Sequence, residues 1–327
     1  MTTSWRRHLI AHLQTWRPYT LCYPGLVGLA GLTSVAGAPS LPQLVTSWAI
    51  PTLGWLSGHY LGDYFDRHLD AISKPHRPIP SGRLSPRAAV TTGAVFAASA
   101  AIFAALTNWH SVVLLLAAMA GIVAYSYVFK GRGLSGNIVR GTLTGLALLF
   151  GVMQTEPLPP WRILPFAAMF LLHDTASNLV GTLRDVEGDR AGGYRTFPVR
   201  HDIRVASRMA VLLYIAALTA AAAGAWASPG HLPAFWLLLL LAAVVGVRAF
   251  VFVLGKHSQF DALRAHQVLV AERLILAGAV VANGLGLIPA LIAIAVVLAI
   301  SLPTQAVMRA RHEFPSLASS VMEERRS

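Results

Sequence analysis

The sequence predicts an all-α protein, a polytopic membrane helical bundle with nine to ten transmembrane helices. Three observations predict it. The 327 residues are 55% hydrophobic and only 12% charged, about half the charge of an average soluble domain. Apolar runs of the length that crosses a bilayer recur along the whole chain. Finally, 23 of the 26 Lys and Arg residues fall in or beside alternate connections between these runs. That distribution follows the excess of positive charge on cytoplasmic loops.

The elements follow in order. Residues 1–18 are polar and aromatic, carry Arg6, Arg7 and Arg17, and read as a cytoplasmic segment with no cleavable signal peptide. A transmembrane domain over 19–303 comes next. Its candidate spans are 19–37, 41–61, 89–107, 110–129, 138–154, 161–181, 207–226, 235–254, 268–285 and 287–303. The last two, separated around Gly284 and Gly286, read as a tight hairpin or one long bent helix. Ten spans place both termini and the loops 62–88 and 182–206 in the cytoplasm of a multi-pass cell-membrane protein. Residues 304–327 read as a polar cytoplasmic tail.

Charge and cysteine usage exclude some function classes. The net charge of +12 is spread between apolar spans and forms no continuous basic face, so nucleic acid is not an expected partner. Cys22 is the single cysteine, which excludes an internal disulfide and disfavours a cysteine metal site. No obligate protein partner is evident, and membrane lipid is the expected surrounding.

The chemistry concentrates in the two long loops. Asp63, Asp66 and Asp70 are three and four residues apart, so a continuing helix puts all three on one face. Like charges at that spacing repel, and a divalent cation would relieve the repulsion. Mg²⁺ suits carboxylate oxygens and also retains bound phosphates. Pro75, Pro78 and Pro80 then end the helix, and Lys74, Arg77 and Arg83 lie within reach of phosphate oxygens. In the second loop Asp185 and Asp189 are four apart, with Arg184, Arg190 and Arg195 beside them. Asp174 and Asn178 extend this polar stripe into the bundle, where polar groups usually mark a site or a pathway. Two clusters at one membrane face suit two metals clamping a single diphosphate. The metals would stabilise the leaving diphosphate as an allylic C–O bond breaks, and the dry bundle interior would protect the cation. Tyr60, Tyr64, Phe65, Tyr125 and Tyr127 are candidates to line the cation pocket.

These residues resemble the UbiA-type intramembrane prenyltransferases. GDYFDRHLD at 62–70 is similar to that family's Asn-Asp-x-x-Asp-x-x-x-Asp motif, with Gly62 in place of the usual Asn. Asp185 and Asp189 match its Asp-x-x-x-Asp motif, and YSYVFKGRGLSGNIVRG at 125–141 also looks familial. The resemblance implies that Asp63, Asp66, Asp70, Asp185 and Asp189 are catalytic and bind Mg²⁺. It implies substrate-binding roles for Lys74, Arg77, Lys130, Asn137, Asn178, Arg190 and Arg195. The expected reaction is Mg²⁺-dependent transfer of a prenyl group from a prenyl diphosphate to an aromatic or other lipophilic acceptor. Alternatives are a membrane terpene cyclase, transfer to a non-aromatic acceptor and, further off, a cation-coupled transporter. At Gly62, either His59, Asn178 or water is expected to stand in for the missing amide, or the diphosphate is held less tightly.

Overall fold

The computed structural model describes residues 2–228, 230–255 and 258–309. Helix α1 (Thr2–Trp16) leads through Arg17 into α2 (Pro18–Thr33), and α3 (Leu41–Ser73) is the longest helix of the chain. A proline-rich loop precedes α4 (Pro86–Thr107), and α5 (Ser111–Ala124) ends in a π-helical turn over Tyr125–Phe129. After α6 (Leu134–Val152), α7 (Leu164–Arg184) gives way to the short α8 (Val186–Ala191) and α9 (Phe197–His201). The chain closes with α10 (Ile203–Ala227), α11 (Leu232–Leu254), α12 (Gln259–Leu285) and α13 (Leu287–Met308). The strand β1 (Arg132–Gly133) pairs in parallel with β2 (Arg195–Thr196) and ties the α5–α6 and α8–α9 connections together.

The all-α membrane bundle is as expected, but the count of nine to ten transmembrane helices is not. Among the described residues seven helical segments are long and apolar enough to cross a membrane. They are Pro86–Thr107, Ser111–Phe129, Trp161–Arg184, Ile203–Ala227, Leu232–Leu254, Gln259–Leu285 and Leu287–Met308. The expected spans 19–37, 41–61 and 138–154 fold as α2, α3 and α6 and do not qualify. Helix α2 has only 16 residues. Helix α3 carries His59, Asp63, Asp66 and Asp70, and α6 carries Asn137, Arg140 and Thr144. The polar side chains that line the interior lower the apolarity of the helices that hold them. The even count that placed both termini on one side falls with this correction. Lys256 and the tail residues 310–327 lie outside the described residues, while 304–308 continue α13.

Packing accounts for the arrangement. Leu237, Leu240, Val244, Val247 and Val251 recur at helical spacing along α11 and are all exposed, the pattern of a lipid-facing stripe. Helices α7 and α12 are the most enclosed spans, and their neighbours bury Phe166, Phe170, Phe235, Leu274 and Leu276 into the main apolar core. Helices α2 and α6 cross so closely that a Cβ at Gly151 would lie 1.8 Å from the Gly28 carbonyl oxygen. Only glycine fits that crossing. Gly286, at φ 85°, separates α12 from α13, so the last two apolar runs form two packed helices and not one bent helix.

Candidate active site

One end of the bundle opens into a cavity of about 740 Å³, lined by Asp63, Asp66, Asp70, Asp185 and Asp189. Both loops meet there. Lys74, just past α3, lies 3.3 Å from Asp185, 111 residues further along the chain.

Helix α3 runs unbroken through its three aspartates, and each has its own cation. Arg17 Nη2 lies 2.5 Å from Asp63, Lys130 Nζ 2.6 Å from Asp66, and Arg77 Nη1 2.7 Å from Asp70. Arg77 also stands 4.0 Å from Asp63. Arg17 sits at φ 48°, an uncommon left-handed conformation for a residue with a side chain, in the turn between α1 and α2. Lys130 is held from two sides: the β1–β2 bridge fixes its loop, and the Tyr194 ring lies 5.7 Å beneath it. Burial works against the Lys130 ammonium, yet Asp66 holds it above the ordinary lysine range.

The second cluster is built on a break. Helix α7 ends at Arg184, Asp185 takes φ −100° and ψ 7°, and α8 restarts at Val186. The expected common face of Asp185 and Asp189 at the end of one helix is therefore a kinked corner. Burial alone would raise the Asp185 carboxyl, but Arg184 at 2.8 Å and Lys74 outweigh it and hold it well below the usual carboxylate range. Burial and the negative charge of Asp185 push Asp189 the other way, up to about 6.

Of the other expected site residues, Asn137 and Asn178 line the cavity and share a 2.8 Å hydrogen bond, with Asn137 Nδ2 donating to Asn178 Oδ1. Arg190 and Arg195 are exposed and lie outside its lining. Of the aromatic candidates, Tyr125 faces the cavity. Tyr60 instead turns its hydroxyl to His12 and Trp16, and Tyr127 is exposed. Gly62 also lines the cavity, and a Cβ there would meet nothing within 4 Å. His59 does not stand in for the missing amide, since its ring is bonded to the Trp16 carbonyl; the group that reaches Asp63 is Arg17.

Sequence reasoning missed three cavity arginines: Arg17, Arg140 and Arg273. Arg140 and the adjacent pair Glu272–Arg273 were visible as charges within apolar segments, the signal that marks costly intramembrane polar groups. Below the acidic end, α7 and α12 face each other through two polar rungs. Arg273 Nη1 lies 3.5 Å from Asp174, and His173 Nε2 lies 2.5 Å from Glu272. Thr144 from α6 also donates to Asp174, and Tyr214 from α10 to Glu272 at 3.0 Å.

Among the described residues no three carboxylates or imidazoles already stand close enough to hold one metal. The donor set nevertheless suits a hard cation: among the described residues seven carboxylates line the cavity, five of them from the two expected clusters. Each of Asp63, Asp66, Asp70 and Asp185 is held by a Lys or Arg that a phosphate could draw away.

The model of the UbiA prenyltransferase family matches residues 21–270. The chain is 30% identical over 272 residues to the digeranylgeranylglyceryl phosphate synthase of Halobacterium salinarum, covering 82% of this chain and 95% of that one. It is 30% identical over 211 residues to the protein of the same name from Thermococcus sibiricus, covering 64% and 74%. Its fold is shared by a UbiA homolog from Archaeoglobus fulgidus solved with GPP and Mg²⁺ bound. That likeness has a TM-score of 0.58 and 18% identity, covering 90% of this chain and 99% of that one.

Proposed function

This chain belongs to the UbiA prenyltransferase family and is a prenyl-transferring membrane enzyme; from that premise we propose that it moves a prenyl group from a prenyl diphosphate to the hydroxyl of a non-aromatic, glyceryl phosphate lipid. The acceptor assignment is supported by relatives named for making digeranylgeranylglyceryl phosphate. It favours the non-aromatic alternative over the aromatic acceptor among the expectations from sequence.

The observation that carries the reaction is the alternation of acids and bases in one cavity. Asp63, Asp66, Asp70 and Asp185 are each paired with Arg17, Lys130, Arg77 or Lys74. Substrate entry would exchange these partners: the carboxylates turn to Mg²⁺, and Lys74, Arg77 and Lys130 turn to the diphosphate oxygens. Buried charges then stay compensated before and after binding, which avoids the penalty for an unpaired charge. Bound Mg²⁺ would supply charge stabilisation for the departing diphosphate. The C1–O bond of the donor breaks and its electron pair leaves with the diphosphate. The acceptor oxygen forms the new bond to C1, and a chamber carboxylate takes the hydroxyl proton. The side chain of Tyr125 and the apolar helices beyond it keep water from the cation. By the positive charge of their loops, both clusters face the cytoplasm.

Mass spectrometry of products from the purified full chain tests this reading. With Mg²⁺, prenyl diphosphates of several lengths and a prenylglyceryl phosphate, the expected product carries acceptor plus prenyl mass. Prenylation of phenolic acceptors alone would refute the acceptor assignment. Release of a hydrocarbon without any acceptor would identify a cyclase.

A further inference from the structure

Among the described residues seven Lys and Arg side chains line the cavity: Arg17, Lys74, Arg77, Lys130, Arg140, Arg184 and Arg273. Six of them lie within 4.0 Å of a carboxylate. Arg140 has no carboxylate at that distance among the described residues. Its guanidinium stacks 4.3 Å over the Trp55 ring of α3. Asp174 lines the same cavity, but its oxygens are taken by Thr144 and Arg273. Arg140 is half-buried and has Asp174 only at longer range, so its charge is incompletely compensated, and stacking on an aromatic ring offsets part of that cost.

Arg140 also occupies a junction. A second, apolar pocket between α2, α3, α5 and α6 is lined by Pro24, Pro51, Leu115, Met119 and Phe150. Gly58, Ile122, Arg140 and Leu143 belong to both this pocket and the polar cavity. Arg140 is thus the charged side chain at the mouth of an apolar pocket. It is also set apart from the acidic end: Trp55, on which it stacks, precedes Asp63 by eight residues on one continuous helix, roughly 12 Å along the axis.

We propose that Arg140 and this pocket form the acceptor subsite: Arg140 binds the anionic head of the acceptor, and the apolar pocket, of about 60 Å³, receives the first carbons of its hydrocarbon chain. The observations fit one ligand chemistry, an amphipathic lipid with a phosphate or similar anion at one end. The prenyl diphosphate head belongs to the acidic end, where Lys74, Arg77 and Lys130 already stand. Arg140 is a specificity-determining residue, since it selects an anionic acceptor over a neutral one. The inference rests on the prenyl-transfer reading, with the glyceryl phosphate acceptor as its natural case.

The test uses the full chain in lipid nanodiscs and two matched acceptor pairs. One pair is a prenylglyceryl phosphate and its dephosphorylated form; the other is a hydroxybenzoate and the corresponding phenol. Wild type should prefer the anionic member. Arg140→Gln should raise KM for that member at least about tenfold, leave KM for prenyl diphosphate within about twofold, and erase the preference. Arg140→Lys, which keeps the charge but loses the planar fork, should fall between. Binding of the prenylglyceryl phosphate, read by native mass spectrometry, should weaken in parallel and gives a readout without turnover. Turnover of the benzoate pair alone would refute the glyceryl phosphate assignment while still reading the Arg140 effect. An equal preference in wild type and Arg140→Gln, or a rise confined to the KM for prenyl diphosphate, would overturn the subsite. So would unchanged lipid binding in a folded Arg140→Gln protein.

Discussion

The two acidic clusters reach the same chamber by different means. On α3 one uninterrupted helix carries Asp63, Asp66 and Asp70, so helix geometry alone fixes their relative positions. Their counter-ions come from three separate places, the α1–α2 turn, the proline-rich loop and the β-tied loop after α5. The second cluster is divided by the corner at Asp185, and its members are treated unequally. Asp185 is clasped by Arg184 and Lys74, whereas Asp189 has no Lys or Arg within 4.0 Å among the described residues. One half of the chamber is thus set by a rigid scaffold and neutralised in place. The other half stands at a helix break beside Gly188, Gly192 and Gly193, the last at φ 76°, a conformation that glycine adopts without strain.

The strongest way to break this comparison is to remove one carboxylate from each half. Asp63→Asn and Asp185→Asn should each lower prenyl-transfer kcat/KM by more than about a hundredfold, the upper range seen when even the supporting partners of metal ligands are lost. Each variant should remain monodisperse in detergent. Activity near wild type in either variant would show that one half suffices and that the two-cluster chamber is wrong.

A smaller effect separates the halves by pH. Asp185 is held well below the usual carboxylate range and stays ionised throughout, while the Asp189 carboxyl sits at about 6. Below that value Asp189 carries a proton and cannot bind a cation. Apparent Mg²⁺ affinity should therefore weaken as pH falls through about 6, approaching tenfold per unit below it. Asp189→Asn should weaken binding at neutral pH and flatten this dependence. A Mg²⁺ affinity constant between pH 5 and 7 would remove Asp189 from the site.

How far each half was legible follows from where its information lies. The three α3 aspartates were readable because their spacing and the helix period are both local. Their cations were less so: Arg17 precedes Asp63 by 46 residues, and nothing in the N-terminal segment points to that partner. Lys74 and Arg77 were found because they follow the first motif directly, though the sequence did not indicate that Lys74 crosses to the second loop. Arg190 and Arg195 were drawn in by proximity to Asp189, but the turn through α8 and β2 carries both outward. Arg140 lies inside α6, within the expected span 138–154, but Lys130 and Arg132 precede it closely and give it the look of loop charge. The span count failed for a related reason. Polar residues required by the chamber interrupt the apolarity of α3 and α6, and α2 is too short. The helices that the sequence over-counted as spans are therefore ones that line the site.

The smallest expected effect comes from Gly62, and it probes how the fixed half is neutralised. A Cβ at this position meets nothing within 4 Å and faces the cavity, so Gly62→Asn has room. Asparagine is also a slightly better helix former than glycine, by a few tenths of a kcal/mol, and thermal stability should hold or rise a little. If Arg17 only balances the charge of Asp63 until substrate arrives, the added amide supplies one more polar contact. KM for the Mg²⁺–prenyl diphosphate pair should then stay level or fall severalfold. If Arg17 has instead taken over the corner that an amide occupies in the family motif, the new side chain competes with it for Asp63. In that case KM rises more than about tenfold in a protein that remains folded, and Arg17→Gln in the Gly62→Asn background restores part of the loss. The second outcome would make the α1–α2 turn a working part of the α3 cluster, so that the fixed half of the chamber is fixed from two elements and not one.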